Sequence, residues 1–448
     1  MLTLLLAAAL GVATPQPVTV TVSDGTPLAC SMVEPDGTPP AGGWPGVILF
    51  HGLGQSHSDM EPIATEALAP AGFATLECDA RGTGASGGLF GLDGPKENQD
   101  ARDLFNWFAA RPEISDTQIG ALGISLGGGA VWNATVAGVP FKAIVPIITW
   151  TNLTTALAPA GVPKTSLIQL LSQLTPASRW DPSLLAASAS LAAGTVTPDA
   201  VAAAAARSPL TSLPSISVPT LLIQGRHDFL FDIDQAETAY KQLAGPKELY
   251  VGDLGHVPAS NPPAEQPTYF KLAAAWFVHY LDGVGGTGTG VILAHDPWDG
   301  TTTSYAGLPP TKTVSVALPG TTKIGATGRV VRGARITGGP HETFGDSTVT
   351  VRYSAAKSWG HIVAVLTASG VAGPITTGAC PITSASGTVQ IHLLDESVEA
   401  PAGAKFTVTL AATSGSAPVY ATGVGRGASI TIGKESLTLS VLKRAVSK

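Results

Sequence analysis

Short β-rich runs alternate with helical stretches from residue 18 to about residue 282, and this alternation constrains the fold more than any other feature. It is typical of a mostly parallel sheet with helices packed on its faces. The predicted strands are residues 18–22, 28–33, 47–50, 74–78, 119–123, 143–148, 220–224 and 248–251. The clearest predicted helices are residues 98–110 and 269–281. Eight strands fit one sheet, so the sequence predicts an α/β fold for this region.

An insertion rich in Ala and Leu, residues 151–219, separates the sixth and seventh predicted strands. Its charged residues are few, namely Lys164, Arg179, Asp181, Asp199 and Arg207. One interpretation is a buried or poorly ordered helical filler. The other is an apolar lid over a site, because loops at the carboxyl ends of parallel strands are where ligands meet such sheets. The residues alone leave both interpretations open.

The composition changes abruptly at a glycine-rich tract, residues 283–290, which indicates a domain boundary. Beyond it, runs rich in Val, Ile and Thr are separated by Gly, Pro and Ser turns, at residues 348–353, 361–367, 388–393, 406–411 and 429–442. That pattern predicts an all-β sandwich. The predicted domains are therefore an α/β domain over residues 17–285 and a β domain over residues 286–448.

Charge and hydropathy exclude several classes of function. The 448-residue chain has a net charge of −7 and no run of Lys or Arg, so a nucleic-acid role has no electrostatic basis. No later segment approaches the ~18 uninterrupted apolar residues of a membrane span, so no integral membrane segment is predicted. The scattered His and Cys residues lack ligand spacing and no dinucleotide motif is present, so neither a metal nor a cofactor is predicted.

Residues 1–16 begin with a short apolar run that ends in small residues. This pattern is typical of a secretory signal peptide and its cleavage site, although the positively charged start of such a peptide is missing, which suggests a truncated beginning. We therefore expect the protein to be secreted.

Two stretches match Gly-x-Ser-x-Gly, one around Ser86 and one around Ser125. A chain this rich in Gly contains on the order of half a match by chance, so the context must decide. A nucleophile elbow needs a strand, a sharp turn and a helix, because that geometry lifts the hydroxyl out of the sheet. Ser125 follows a predicted strand and precedes a helical run, whereas Ser86 precedes loop-forming glycines. We predict Ser125 as a nucleophile and Ser86 as a turn residue.

A serine nucleophile needs a histidine base, and the base needs a carboxylate that orients it. In this architecture the chain order is serine, acid, histidine. Asp228 follows the predicted strand 220–224, and His256 follows the predicted strand 248–251. We predict Asp228 as the acid and His256 as the base. The alternative acids are Asp232, Asp234 and Asp253, the first two with N-capping of a helix as their other explanation.

The third predicted strand leads into His51-Gly-Leu-Gly54, a turn that can direct backbone amides toward the nucleophile. The N–H groups of Leu126 and Leu53 are the predicted oxyanion-hole donors, and each such donor contributes ~3 kcal/mol in comparable systems. An ordinary tight turn is the other interpretation of this segment. We expect His51 to hold the loop. The candidates for the mouth of the site are Gln55, Ser56 and His57.

Asp79 and Arg81 follow the fourth predicted strand. We expect Arg81 to pair with a carboxylate such as Asp79 or Asp100 and to fix the loop beside the site.

The chain has three cysteines, which allow at most one internal disulfide. In the usual strand order of such sheets the second and fourth strands are antiparallel neighbours, so Cys30 could face Cys78. A disulfide between them is a hypothesis. Cys380 has no obvious partner.

The sequence resembles the Xaa-Pro dipeptidyl-peptidase-like and cocaine-esterase-like group of α/β-hydrolases. The matching segments are residues 79–88, 97–107, 123–127, 216–228 and 255–256, and the runs 363–368 and 399–410 resemble that group's C-terminal jelly-roll module. The resemblance implies an α/β-hydrolase fold with a helical lid over residues 151–219 and a jelly-roll β-sandwich domain after it. It also carries the triad roles onto Ser125, Asp228 and His256.

The sequence departs from this group at the third strand. Members similar to cocaine esterase supply a Tyr hydroxyl to the oxyanion hole there, whereas His51-Gly-Leu-Gly54 has no Tyr. Backbone amides are therefore the predicted donors.

A serine at the elbow favours hydrolysis through an acyl-enzyme intermediate. We favour a carboxylic-ester hydrolase acting on a small-molecule or polymer substrate with an apolar acyl group, because the insertion is apolar. The first alternative is an Xaa-Pro dipeptidyl-peptidase or other serine exopeptidase, which must bind a free ammonium with buried carboxylates. The insertion offers only Asp181 and Asp199 for that task. The second alternative is a surface-binding protein or an acyltransferase.

Overall fold

The computed structural model of the protein describes residues 13–443. Among these, the first of two compact units comprises residues 13–146, 218–220 and 267–287, and the second comprises the remainder. This division differs from the predicted domains 17–285 and 286–448, which stay a prediction. The predicted signal peptide lies outside the described residues except for residues 13–16.

The secondary structure follows the predicted alternation. The first ten strands are β1 (Gln16–Thr21), β2 (Pro27–Val33), β3 (Trp44–Phe50), β4 (Ala74–Cys78), β5 (Ile114–Ile124), β6 (Ile144–Ile147), β7 (Thr220–Gly225), β8 (Lys247–Gly252), β9 (Val291–Ala294) and β10 (Thr302–Tyr305). The helices are α1 (Glu61–Ile63), α2 (Pro95–Ala109), α3 (Leu126–Val136), α4 (Leu153–Leu157), α5 (Thr165–Leu171), α6 (Pro182–Ala192), α7 (Pro198–Ala205), α8 (Ile233–Gln242) and α9 (Gln266–Asp282). All eight predicted strands and both predicted helices are present.

The sheet of the first unit is mixed, with the strand order β1-β2-β4-β3-β5-β6. Strands β1, β2 and β4 pair antiparallel, whereas β4, β3 and β5 are parallel. Phe50 at the end of β3 lies opposite Cys78 in β4 and Gly123 in β5. The residues that follow these three strands, Asp79 and Ser125 among them, therefore emerge at one edge of the sheet.

Helices cover this sheet through close contacts at glycines. The Phe108 ring of α2 packs directly on Gly46 of β3. A Cβ at residue 46 would come within 2.5 Å of this ring. Phe277 of α9 packs in the same way on Gly120 of β5. Both phenylalanines are fully buried. Because the two glycines lack side chains, these helices approach the strands closely and fix the position of β5, which leads to Ser125.

A disulfide joins Cys30 to Cys78, which lie directly opposite each other in the antiparallel pair β2 and β4. The hypothesised pairing is therefore present. Cys380 is a free, partly buried thiol.

Four strands of the second unit lie in the order β7-β8-β9-β10. Strand β9 pairs parallel with β8, and β10 pairs antiparallel with β9. The predicted eight-strand sheet did not include β9 and β10, which follow the glycine-rich tract. Both strands have only four residues and β10 is largely exposed, so their sequence pattern is weak.

The insertion folds into helices α4 to α7, as the resemblance implies. A small apolar core of Ile168, Leu191 and Ala200 holds α5, α6 and α7 together. Large apolar side chains also face solvent on this insertion, namely Leu170, Leu174 and Val201. The insertion is therefore an ordered helical layer, and its role as a lid stays a prediction.

The remaining strands of the second unit form antiparallel sheets. They are β11 (Thr311–Leu318), β12 (Thr322–Gly325), β13 (Val330–Arg335), β14 (His341–Glu342), β15 (Thr348–Lys357), β16 (His361–Ala368), β17 (Thr376–Pro381), β18 (Gly387–His392), β19 (Glu399–Ala400), β20 (Lys405–Ala411) and β21 (Ser429–Leu442). One sheet has the order β11-β21-β15-β18, and a second has the order β13-β20-β16-β17. Both contribute to one apolar core, so the predicted β region is present, while jelly-roll connectivity stays a prediction.

Candidate active site

Ser125 occupies a strained turn between β5 and α3. Its φ of 55° and ψ of −111° lie where a residue with a side chain is rarely found. A Cβ on Gly123 would overlap the Gly127 carbonyl, and a Cβ on Gly127 would overlap the Phe50 carbonyl. Strand, turn and helix therefore meet closely around Ser125, which is the geometry of a nucleophile elbow.

His51 braces the turn that follows β3. Its Nδ1 lies 2.7 Å from the Gly52 carbonyl, and its Nε2 lies 3.0 Å from the Ala80 N–H. Since Nε2 accepts from Ala80, Nδ1 carries the proton and the ring is neutral. Burial lowers the pKa of His51 and stabilises this neutral form. His51 thus holds the loop, as expected.

The two predicted oxyanion-hole donors lie on elements that pack together. Leu126 is the first residue of α3, so its N–H precedes the intrahelical hydrogen bonds. The Leu53 N–H makes no hydrogen bond with another of the described residues. Gly127 packs against the carbonyls of Phe50 and His51, which brings the turn beside the elbow. The assignment of the two N–H groups as oxyanion donors stays a prediction.

Asp228 and His256 of the second unit are paired. Asp228 Oδ2 accepts the His256 Nδ1–H at 2.8 Å and the His256 main-chain N–H at 3.0 Å. Its Oδ1 accepts the N–H groups of Leu230 and Phe231 at 2.9 and 3.1 Å. The structure thus brings together the predicted acid and the predicted base, with Nδ1 of the imidazole turned toward the carboxylate.

The surroundings of Asp228 favour its ionised form. The side chain is fully buried, and burial alone would raise its pKa. The charge and hydrogen bonds of His256, together with the main-chain donor Phe231, outweigh burial and lower the pKa of Asp228. The rings of Phe231 and His256 pack nearly perpendicular to each other, with the centroids 5.2 Å apart and an interplanar angle of 89°. A buried carboxylate therefore orients a partly buried imidazole.

The three alternative acids have other surroundings. Asp232 sits at the N-cap position of α8 without a side-chain capping bond, and its Oδ2 accepts the Asp395 N–H at 3.1 Å. Asp234 is exposed in the first turn of α8. Asp253 Oδ1 accepts the Ser260 N–H at 2.9 Å. The hydrogen bonds of Asp232 and Asp253 give these two residues local structural roles.

Ser86 and Arg81 fix the loop after β4. The Ser86 hydroxyl donates to the Asp79 carbonyl at 2.7 Å and accepts the Ala29 N–H at 2.9 Å. Arg81 binds Asp100 through Nε and Nη2 at 2.7 and 2.5 Å. Ser86 is thus a buried turn residue, and Arg81 pairs with the expected Asp100 and, through Nη1, with Asp24 at 2.8 Å.

A second histidine and aspartate pair lies in the first unit. Asp79 Oδ1 accepts both the main-chain N–H and the Nδ1–H of His57, at 2.7 and 2.8 Å, and its Oδ2 accepts the Ala85 N–H at 2.7 Å. From the sequence, His57 is expected only as a candidate for the mouth of the site. Because β3 and β4 are parallel and in register, the loops that carry His57 and Asp79 leave the sheet at the same edge. This register is the feature from which their proximity could be predicted.

The segment 226–231, which we call the acid loop, begins with a buried arginine and has two more buried charged residues beside it. Arg226 is 1% exposed, Lys164 is fully buried and Glu396 is 2% exposed. The Lys164 ammonium donates to the Leu230 carbonyl at 2.8 Å. Sequence reasoning assigned no site role to Lys164 and Glu396, because both lie far from the acid loop along the chain.

Within residues 13–443, no group of three or more His, Cys, Asp or Glu side chains is arranged to hold a metal ion. None of the helices in this part of the chain has the length and apolar character needed to cross a membrane.

Comparison with known families and proteins shows what this chain is similar to. A family model described as X-Pro dipeptidyl-peptidase (S15 family) matches residues 24–258, slightly more than half of the chain. Two curated relatives, each an uncharacterized 31.7 kDa protein in the traX-finO intergenic region of Escherichia coli, are 36% identical over 102 residues. That match covers 22% of this chain and 36% of each relative, so the chain spans about a third of the length of these relatives.

Solved structures share the fold over nearly the whole chain. A CocE/NonD family hydrolase from Staphylococcus aureus has a TM-score of 0.70 at 15% identity and covers 96% of this chain and 93% of its own. An aminopeptidase from the marine sediment archaeon Thaumarchaeota archaeon has a TM-score of 0.73 at 12% identity and covers 97% of each chain. An α-amino acid ester hydrolase has a TM-score of 0.70 at 13% identity and covers 98% of each chain. These similarities show the fold.

Proposed function

Because the chain belongs to the X-Pro dipeptidyl-peptidase (S15) family, we propose that it is a serine hydrolase that cleaves carboxylic esters through an acyl-enzyme intermediate. Membership of this family confirms the resemblance that the motifs indicated. We propose Ser125 as the nucleophile, His256 as the base and Asp228 as the acid, with the N–H groups of Leu126 and Leu53 as oxyanion donors.

The observation that carries the proposal is the pair formed by Asp228 and His256. Since Asp228 Oδ2 holds the Nδ1–H, the lone pair of the neutral imidazole lies on Nε2. Nε2 is then the atom that can take a proton from a hydroxyl. The ionised carboxylate stabilises the imidazolium that this transfer creates.

The proposed reaction has two halves. The Ser125 Oγ attacks the ester carbonyl carbon while His256 Nε2 takes its proton, and the two main-chain N–H groups bind the resulting oxyanion. His256 then gives the proton to the leaving alkoxide, which leaves an acyl-Ser125 ester. In the second half, a water molecule attacks that ester by the same steps and releases the carboxylic acid.

The helical insertion supports an apolar acyl group. Leu170, Leu174 and Val201 of the insertion are 50%, 43% and 39% exposed, and we propose that apolar side chains of this insertion contact the acyl group. An exopeptidase must also bind a free ammonium. Asp181 caps α6 by accepting the Ser183 N–H at 3.0 Å, and Asp199 is exposed in the first turn of α7. These positions favour ester substrates over peptides.

The description of the family favours a second candidate, an Xaa-Pro dipeptidyl-peptidase. It would use the same three side chains with an amine as the leaving group.

Turnover of p-nitrophenyl esters and of dipeptidyl-Pro arylamides by the full chain separates these candidates. We expect ester turnover to exceed arylamide turnover and Ser125→Ala to lower kcat for esters by ~10⁴-fold or more. Ser86→Ala is the matched control, because it removes the serine of the other Gly-x-Ser-x-Gly motif, and we expect it to keep kcat within tenfold. Unchanged ester turnover in Ser125→Ala would overturn the proposal.

We also propose that the protein is exported. The disulfide between Cys30 and Cys78 supports this, because such bonds persist in oxidising compartments. Fractionation of cells that make the chain, with thiol labelling of the recovered protein, tests it. Recovery only from the cytoplasm with both thiols free would contradict it.

A further inference from the structure

A segment far along the chain, residues 395–397, holds the acid loop, and we call it the support segment. The Ser397 N–H donates to the Arg226 carbonyl at 2.7 Å, and the Arg226 Nε–H donates back to the Ser397 carbonyl at 2.7 Å. The Arg226 guanidinium also donates to Ser397 Oγ at 3.0 Å. These reciprocal bonds fix the first residue of the acid loop.

The same segment holds the chain just beyond the acid loop. The Ile233 N–H donates to the Asp395 carbonyl at 3.0 Å, and the Asp395 N–H donates to Asp232 Oδ2 at 3.1 Å. The support segment is itself anchored, because Thr343 Oγ1 donates to the Glu396 carbonyl at 2.7 Å. The loop is thus bound at both of its ends.

Between these ends, Glu396 reaches the acid itself. Glu396 Oε2 accepts the main-chain N–H of Asp228 at 2.8 Å. The two side-chain oxygens of Asp228 are already used by His256 and by the N–H groups of Leu230 and Phe231. Glu396 therefore contacts the main chain of the one residue whose carboxylate orients the imidazole.

We propose that Glu396 is a positioning residue for the hydrolysis, because its carboxyl group fixes the main chain of Asp228 and with it the direction of the Asp228 carboxylate toward His256. The inference rests on the proposed roles of Asp228 and His256. It gives the region beyond the glycine-rich tract a part in the reaction.

The electrostatics of the cluster agree with this role. Burial raises the pKa of Glu396 well above its usual value, and the charges of Asp232 and Asp228 raise it further. A neutral carboxyl group accepts the Asp228 N–H without placing a second negative charge beside the catalytic carboxylate. Lys164, whose Nζ donates to the Leu230 carbonyl at 2.8 Å, lies near the same carboxyl groups; burial lowers the pKa of Lys164, and the charges of Asp232 and Asp228 oppose that shift.

The size of the expected effect follows from geometry. A misplacement of about 1 Å in a catalytic group can lower the rate by ~100-fold. Without its acceptor, Asp228 keeps its bonds to His256 but loses the anchor of its main chain. We expect a loss of about 10- to 100-fold in kcat with KM within about twofold, because Glu396 does not contact the substrate.

The test uses three variants of Glu396 in the full chain. Glu396→Gln keeps an acceptor of the same reach, Glu396→Asp withdraws the acceptor by one methylene, and Glu396→Leu removes it. We expect kcat for p-nitrophenyl esters to decrease in the order wild type, Gln, Asp, Leu, with the Gln variant within threefold of wild type. Active-site titration of the acyl-enzyme burst corrects each kcat for the folded, active fraction.

Glu435→Leu is the matched control. Glu435 is also a buried glutamate of the second unit, and it pairs with Arg332 Nη1 at 2.6 Å instead of with the acid loop. We expect this variant to melt at a lower temperature while its kcat stays within twofold of wild type. A decrease in kcat in Glu396→Leu that Glu435→Leu does not share separates positioning from general destabilisation.

The outcomes distinguish this inference from the proposed function. Full turnover by Ser125→Ala would overturn both. Inactive Ser125→Ala and Asp228→Asn variants beside a fully active Glu396→Leu would overturn the inference alone. A folded Glu396→Gln variant as impaired as Glu396→Leu would also overturn it, since the acceptor would then not be the property that matters. If Glu396→Leu does not fold, the order of the Gln and Asp variants decides.

Discussion

Asp228 receives two hydrogen bonds from His256 on a single oxygen, one from the imidazole Nδ1–H and one from the main-chain N–H, at 2.8 and 3.0 Å. The other oxygen receives two main-chain N–H groups, from Leu230 and Phe231. All four partners are donors, so this site is built for a carboxylate with no proton of its own.

The variant Asp228→Asn tests this arrangement. Since Leu230 and Phe231 require an acceptor, the amide oxygen would take the Oδ1 position and the NH₂ group would face the His256 Nδ1. The imidazole would then carry its proton on Nε2, where it cannot accept one. We expect kcat for esters to decrease by ~10³- to 10⁴-fold while the protein stays folded.

His57→Gln is the control for that variant. His57 forms the same kind of pair with Asp79 but lies outside the proposed triad. We expect it to keep kcat within tenfold. The proposed triad is contradicted if His57→Gln loses more activity than Asp228→Asn.

The packing of the elbow gives a second prediction. A Cβ at residue 127 would overlap the main-chain carbonyl of Phe50, which cannot move without shifting β3. We expect Gly127→Ala to lower ester kcat by more than about 100-fold and the free energy of unfolding by roughly 1–3 kcal/mol. Gly286→Ala is its control, because a Cβ there meets nothing within 4 Å. Kinetics and urea unfolding of both variants decide, and equal behaviour of the two would refute the packing argument.

The sequence predicted those features of the site that follow from local pattern. The strand, turn and helix predicted around Ser125 are present, and so is the pairing of Asp228 with His256, each of which follows a buried strand; their catalytic roles stay a proposal. The pairing of Cys30 with Cys78 followed from strand order. In each case the signal is a periodic pattern or a short motif, because the residues concerned lie at the ends of regular elements.

The contacts of the acid loop could not be predicted in this way. Glu396 meets Asp228 across 168 residues of sequence, so no spacing connects them. Its segment follows a β-rich run in which a charged residue is usually exposed. Likewise, β9 has four residues, and its parallel pairing with β8 is decided by tertiary contacts. Hydrogen bonds between buried polar groups that are far apart along the chain leave no local pattern in the sequence.

The disulfide gives a third prediction. Cys30 and Cys78 are 48 residues apart, and closing a loop of that length in the unfolded chain corresponds to about 4 kcal/mol of stability. We expect the double variant Cys30→Ala/Cys78→Ala to lower the free energy of urea unfolding by an amount of that order. Reductant is expected to destabilise the wild type similarly and to leave the double variant unchanged, since Cys380 is already free. Insensitivity of the wild type to reductant would count against the bond.

The last prediction concerns Glu77, which lies on β4 with its side chain buried and hydrogen-bonded to the Ser31 hydroxyl at 3.2 Å. Burial raises its pKa to about 8, from 4.5, and the charge of Glu61 acts in the same direction. Between these two values the native protein keeps a proton that the unfolded chain has released. Raising the pH therefore favours the unfolded state, by at most about 1.4 kcal/mol per pH unit.

Glu77→Gln keeps a partner for Ser31 and removes this titration. We expect the free energy of unfolding of wild type, relative to that of Glu77→Gln, to fall steadily as the pH rises from 5 to 8. Over that interval the unfolded wild-type chain releases the Glu77 proton that the native protein retains, so each increase in pH favours unfolding. Urea unfolding at each half pH unit measures the difference. Glu66→Gln, which removes an exposed carboxyl group of the same unit, controls for the loss of one acid. Parallel curves for wild type and Glu77→Gln across this range would show that Glu77 ionises normally in the native protein.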